Sequence, residues 1–351
     1  VFSTGMTGYP ESMSDPSFRG QILVCTFPLI GNYGVPVEEL NGWGFSTNAE
    51  SEQIQVSGLV VTQVSEEYSH HLAVSSLQNW MEHHGVPGIT GIDTRALTKK
   101  LREKGVMLGR IIQNDEEARA MASSATFEDP NLRNLVAEVS VDAPVTYEPE
   151  SNALGLTVVA YDCGMKRNII RSFLKRGVTV VRVPWDYNLD AHTGKIDGVF
   201  ISNGPGDPKT CDKTIENLKK SLAKNYPTFG ICLGNQLLAL AIGGDTFKLP
   251  YGHRGMNQPC VEVICSDGSV CVPGKQKCII TSQNHGYAVD EKLPEGWDVW
   301  FRNANDGTVE GIRHNSGKFY SVQFHPEATP GPEDAAYLFD DFVKTMQEAK
   351  A

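Results

Sequence analysis

The chain has 351 residues, a formal net charge of −11 at pH 7 and a hydrophobic fraction of 40%. That length and mix describe an ordinary globular protein with room for two domains and a core of its own. The acidic balance, with no run of lysine or arginine, leaves no electrostatic footprint for nucleic acid, and no apolar stretch is long enough to span a bilayer.

Nothing at the N-terminus reads as a signal peptide. The chain opens at Val1 inside an apparent motif, so an N-terminal piece is expected to precede it. Cysteines stand at 25, 163, 211, 232, 260, 265, 271 and 278. A chain of this size needs no disulfide for stability, and no Asn-x-Ser/Thr sequon occurs, so a reducing, cytoplasmic setting is expected. Cys260, Cys265, Cys271 and Cys278 lie close together, but the paired Cys-x-x-Cys spacing of structural zinc sites is absent and no metal site is expected there.

In chain order, turn-rich β-like segments come first, in "QILVCTFPLIGNYG" and "SGLVVTQV". A helix is expected from about Ser69 to His84, with Leu72, Leu77 and Trp80 on its apolar face. The His70-His71 and His83-His84 pairs would be solvated or packed residues of that helix. Another helix follows in "GIDTRALTKKLREKG", capped by Asp93-Thr94 and stopped by Gly105. The stretch "VDAPVTYEPESNAL" (141–154) has two prolines, three acids and no periodicity, and reads as a linker. It divides an N-terminal β-rich α+β domain (1–145) from a C-terminal domain (156–351), with the linker proper at 146–155.

After the linker, strand and helix alternate. "LTVVAYD" (156–162), "VTVVRV" (178–183) and "KIDGVFIS" read as buried strands. "KRNIIRSFLKRG" (166–177), "CDKTIENLKKSLAKN" (211–225) and "GNQLLALAIGG" (234–244) read as helices. This alternation predicts a doubly wound, mostly parallel sheet, the α/β class. Ligands of such sheets bind beyond the C-terminal ends of the strands. Loops 202–208, 230–236 and 325–330 therefore hold the candidate chemistry.

"FGICLGNQ" carries Gly-x-Cys-x-Gly, the form of a nucleophile elbow with sulfur in place of oxygen. The following helix would direct its positive end at Cys232, and the N–H of Leu233 would be placed to meet an oxyanion. A buried structural cysteine beside a tight turn is the plainer alternative. A base stands in "YSVQFHPEATPGP", where a strand ends in His325-Pro326-Glu327. Residues i and i+2 share a face of an extended chain, so Glu327 can orient His325, giving a triad Cys232–His325–Glu327. "SNGPGDP" (202–208) offers free backbone N–H groups for a carboxamide. Neither Gly-x-x-x-x-Gly-Lys-Ser/Thr nor Gly-x-Gly-x-x-Gly occurs, so ATP chemistry would belong to a partner.

"SNGPGDP", "FGICLGNQ" and "VQFHPEATPGP" resemble the class I glutamine amidotransferases. "GMTGYPESMSDPSFRGQ", "IGNYG", "HRGMNQP" and "TSQNHGYAV" resemble the small subunit, or glutaminase half, of carbamoyl phosphate synthetase, over nearly the whole chain. The resemblance implies that Cys232 attacks the side-chain amide of L-glutamine, forms a γ-glutamyl thioester and releases ammonia and then glutamate, with His325 moving the protons and Glu327 orienting it. It implies glutamine contacts at Ser17, Gly204, Gly206, Leu233, Gln236, Asn284, Gly286 and Tyr287. It implies no cofactor in this chain, since ATP, Mg and bicarbonate would be used by a synthetase large subunit or fused domain docked on the N-terminal domain. The chain has Asn235 where the resemblance expects histidine, and Tyr287 where phenylalanine is common. A catalytically quiet scaffold, or the glutaminase of another amidotransferase, is the competing reading.

Overall fold

Short apolar runs separated by turns give the first part of the chain its small sheet. In the computed structural model, which describes residues 1–350 apart from 38, 113, 115–118, 120–126, 266–268 and 273, strands β1 (Phe2–Ser3), β2 (Ile22–Cys25), β3 (Gly58–Val60) and β4 (Gly88–Ile89) lie parallel in that order. Helices α1 (Tyr9–Ser14), α2 (Leu77–His83) and α3 (Thr94–Lys104) accompany them. Leu23, Leu59, Met13, Leu77 and Trp80 share one buried cluster there.

The capping expectation for α3 is met: Asp93 accepts from the Ala96 amide at 2.9 Å, and Gly105 ends the helix at φ 85°. The expectation for α2 is corrected. It begins at Leu77, because Ser76 caps it by accepting from Asn79 N at 3.1 Å and Ala73–Ser75 pairs as a strand with Val35–Pro36. His70 and His71 therefore lie outside the helix, exposed, with ring centroids 4.4 Å apart.

The second part is built on one ten-stranded sheet. Its strands in chain order are β5 (Val145–Tyr147), β6 (Leu156–Asp162), β7 (Val178–Pro184), β8 (Gly198–Ile201), β9 (Thr228–Ile231), β10 (Thr246–Glu262), β11 (Cys278–Val289), β12 (Trp297–Asn303), β13 (Val309–His314) and β14 (Phe319–Val322). The centre runs β7-β6-β8-β9-β14, all parallel. The strand order changes direction across β6 and β8, the kind of switch point where α/β sheets bind ligands. Antiparallel strands β13, β12, β10 and β11 extend the sheet on one side, and β5 on the other. β5 falls inside the stretch that reads as a linker, and it pairs with β7 as an edge strand.

Helices α5 (Arg167–Leu174) and α6 (Asp212–Ala223), the elbow helix α7 (Leu233–Ala241) and α8 (Tyr337–Lys350) cover the sheet; the short α4 (Leu135–Val139) precedes it. Phe173, Phe200, Phe229, Phe339 and Phe342 pack edge to face between helix and sheet. None of the described helices is long and apolar enough to cross a membrane.

Cys265 and Cys271 form a disulfide, a pairing their spacing did not announce. The local reason is geometric: an isolated bridge between Ile264 and Val270 brings the two Cα atoms to 5.2 Å, within disulfide reach.

The two parts of the chain are tied by buried polar contacts. Glu50 pairs with Arg171 at 2.8 Å and accepts from Asn168 N at 2.9 Å, and Arg167 pairs with Glu52. Asn203, just past β8, donates to Ser17 Oγ at 2.8 Å, which sets the Ser17 segment at the C-terminal end of that strand.

Candidate active site

The cysteine at the end of β9 takes φ 55° and ψ −103°, a region that L residues avoid and that marks a stored local strain. The flanking glycines make the turn possible. A Cβ on Gly230 would lie 2.6 Å from Gly234 O, and one on Gly234 would lie 2.3 Å from Ile201 O. Cys232 also donates its backbone N–H to Val322 O at 2.8 Å, which locks the elbow to β14. Leu233 opens α7, so its N–H has no intrahelical acceptor and is free for an oxyanion.

His325 and Glu327 stand just past β14, beside β9 in the sheet. His325 Nδ1 and Glu327 Oε1 are 2.6 Å apart, and both side chains are almost fully buried. His325 Nε2 is buried without a hydrogen-bond partner, and Cys232 is close enough to act on the ring's charge. Burial pulls the His325 pKa down, but the charges of Glu327 and then Cys232 outweigh it and carry it to about 10. Burial would raise Glu327; Lys166 and then His325 outweigh that and hold it near 2. The arrangement favours an imidazolium between a carboxylate and a sulfur.

Lys166 was not legible in the sequence. Its Nζ sits 3.0 Å from Glu327 Oε1 and donates to Ala328 O at 2.6 Å. It stands at the start of α5, in the "GMKRN" segment, where nothing but burial separates it from a surface lysine. Asn203 is the other omission. Its Nδ2 donates to Ser17 Oγ at 2.8 Å, joining the two parts of the chain at the site.

A cavity of about 730 Å³ opens over the elbow, lined by Ser17, Gly204, Gly206, Cys232, Leu233, Gln236, Asn284, Gly286 and Tyr287 among others. Every expected glutamine contact thus lies on one cavity with the nucleophile. Ser17 does not cap its turn. Asp15 does, by accepting from Ser17 N at 2.9 Å, so the Ser17 hydroxyl hydrogen remains available to a ligand. Gln236 donates to Tyr287 O at 3.0 Å and fixes that side of the cavity.

Asn235, the departure from the expected histidine, is fully buried. It accepts from Ser321 Oγ at 2.8 Å and donates to Gln323 Oε1 at 3.2 Å, so its role is to pin α7 to β14. It is not among the residues that line the cavity.

His253, His285 and Glu310 bring three possible metal-ligand atoms within 4.8 Å of one another, a grouping the sequence reading did not anticipate. Each ring nitrogen already has a neighbour: His253 Nδ1 meets Glu310 at 3.2 Å and Nε2 meets Asp306 at 2.8 Å, while His285 bonds Tyr287 O at 2.8 Å and Gln283 Oε1 at 3.1 Å. The group acts as a hydrogen-bonded brace behind the strand that carries Asn284, Gly286 and Tyr287.

A strained elbow cysteine, a buried His–Glu pair and a doubly wound sheet define a class I glutamine amidotransferase, and residues 159–345 match the family described as "Glutamine amidotransferase class-I". Residues 1–111 match "Carbamoyl-phosphate synthase small chain, CPSase domain". The chain belongs to the carbamoyl-phosphate synthase small-chain family: it is 47% identical over 356 residues to the "Carbamoyl phosphate synthase arginine-specific small chain" of Debaryomyces hansenii, covering 100% of this chain and 80% of that one. It is also 49% identical to "Multifunctional protein CAD" of Squalus acanthias and 50% identical to "Multifunctional protein pyr-3" of Neurospora crassa. Those matches cover 100% and 99% of this chain, but it spans only 15% and 20% of the multifunctional proteins.

Proposed function

We propose that this chain is the glutaminase component of a glutamine-dependent carbamoyl phosphate synthetase. Cys232 Sγ forms a bond to the side-chain amide carbon of L-glutamine, and its proton resides on His325. The oxyanion is met by the Leu233 N–H and by backbone N–H groups of the 203–206 loop. His325 returns the proton to the amide nitrogen, the C–N bond breaks, and ammonia leaves a γ-glutamyl thioester. Water then attacks the thioester with its proton passing to His325, and glutamate leaves as the sulfur regains its electron pair. Glu327 orients the ring and Lys166 holds Glu327 ionised.

The observation that carries this reading is the buried 2.6 Å His325–Glu327 contact beside a cysteine at φ 55°. The ammonia is used by a large subunit or a fused synthetase domain, where ATP, Mg and bicarbonate belong. The names of the relatives support both arrangements and both arginine-specific and multifunctional settings. A cytoplasmic setting is supported by the need for a free thiol at Cys232, and it requires the Cys265–Cys271 disulfide to persist under reducing conditions. The test is Cys232→Ser in the complete enzyme. Glutamine-dependent carbamoyl phosphate synthesis should disappear while ammonia-dependent synthesis persists. Glutamine hydrolysis surviving near the wild-type rate would overturn the assignment.

A further inference from the structure

Arg254 is a buried cation that the proposed chemistry does not use. It lies on β10, directly paired with Asn284 of β11, whose carbonyl accepts from Cys232 Sγ at 3.7 Å. Its relative exposure is 7%. Its Nη1 donates to Tyr251 O at 2.5 Å, and its Nε is buried with no partner. Among the described residues, no carboxylate forms an ion pair with it, whereas the other buried arginines, Arg167, Arg171 and Arg182, each have one. A buried charge with no carboxylate paired to it is costly, and proteins keep one where an anion arrives. Burial lowers its pKa to about 10 against the opposing pull of Cys232, so the guanidinium stays charged at neutral pH.

The position says which anion. Arg254 lines the same cavity as Ser17, Cys232, Gln236 and Gly286. Its Nη2 would lie 3.3 Å from a Cβ built on Gly286, so the guanidinium edge borders a residue expected to touch glutamine. The substrate offers one anion, its α-carboxylate. A guanidinium presents paired N–H donors that match a carboxylate fork, and it repels the neighbouring α-ammonium, which fixes the orientation of the substrate.

We propose that Arg254 is the counter-charge for the α-carboxylate of glutamine and selects substrates that carry it. This rests on the glutaminase reading above. Ser17 and Arg254 then approach the amino-acid end of the substrate from the two parts of the chain, while Cys232 takes the amide.

The test compares wild type, Arg254→Gln and Arg254→Lys in the full-length protein, with L-glutamine and with its α-carboxamide analogue, L-glutaminamide. Wild type should prefer glutamine. Arg254→Gln should raise the KM for glutamine roughly a hundredfold, equivalent to about 2.8 kcal/mol at 1.4 per tenfold. Its kcat/KM for the α-amide should stay within about threefold of wild type, erasing the preference, and Arg254→Lys should recover part of it. An unchanged KM for glutamine overturns the proposal. So does an equal loss on both substrates in a variant that melts like wild type, because that pattern places Arg254 at the sulfur instead. If wild type hydrolyses neither substrate, the glutaminase reading fails before the arginine is tested.

Discussion

Replacing Glu327 by glutamine keeps the shape of the triad and removes one charge. His325 is carried from its ordinary 6.5 to about 10, with Glu327 the larger of the two favourable influences and Cys232 the next. That displacement corresponds to about 5 kcal/mol favouring the imidazolium, at about 1.36 kcal/mol per pKa unit. Because burial opposes that displacement, losing the larger favourable influence weakens the ring's hold on the proton by an amount on the order of 2–3 kcal/mol, some tens-fold to a hundredfold at 1.4 per tenfold. Lys166 is left with Glu50, which also acts on it, so the variant is not left with a wholly unpaired buried amine. We expect Glu327→Gln to lower kcat for glutamine by about fifty- to a hundredfold with KM nearly unchanged, as befits a group that never touches substrate. His325→Asn should be worse by a further order of magnitude, since it removes the proton carrier itself. Steady-state glutamate release on both variants, with a thermal melt to confirm folding, decides the ranking. A Glu327→Gln variant within twofold of wild type would refute the role assigned to the 2.6 Å contact.

The same two groups predict a pH profile of stability. The folded His325 value of about 10 lies above its ordinary 6.5, so its stabilisation is complete below pH 6.5 and is lost as pH rises toward 10. Glu327, near 2 and below its ordinary 4.5, contributes fully above pH 4.5 and loses that contribution as pH falls toward 2. Melts of wild type should peak between those limits, and Glu327→Gln should be less sensitive to acid; identical acid limbs would contradict the assignment. Ser17→Ala removes a hydroxyl whose hydrogen is free for the substrate, and should raise the KM for glutamine roughly tenfold, about 1.4 kcal/mol, alongside a modest fall in melting temperature from the lost Asn203 contact. An unchanged KM would confine substrate recognition to the C-terminal part. Gly234→Ala would press a Cβ to 2.3 Å from Ile201 O, so urea unfolding should show a loss of several kcal/mol, at or above the roughly 1–3 kcal/mol of ordinary overpacking; a wild-type midpoint would show that the elbow can relax.

The parallel centre and the triad were readable because their signals are local. Leu156–Asp162 is a continuous buried run between turns, and it forms a strand with those limits. Gly230, Cys232 and Gly234 announce an elbow because only glycine tolerates contacts that close. His325 and Glu327 share a face because they are two apart on an extended segment. What depended on distant packing was hidden. Lys166 and Arg254 look like any basic residue in sequence, and become informative only when burial removes water from them. The Cys265–Cys271 pair required the Ile264–Val270 bridge, which no spacing rule announces. Helix α2 began late because Ser76 offered a cap and the preceding residues found a strand partner. The strand in the linker had the same cause: Val145–Tyr147 had an open sheet edge to join.

The central claim is that Cys232 carries the glutamyl group. Its most direct test is the mass of the intact chain, acid-quenched during turnover of L-glutamine and then digested to locate any adduct. The expected result is a γ-glutamyl group on the peptide containing Cys232, sensitive to hydroxylamine as a thioester is, and absent from Cys232→Ser. Release of glutamate at the normal rate with no adduct on that peptide, or with the adduct on another residue, would contradict the account.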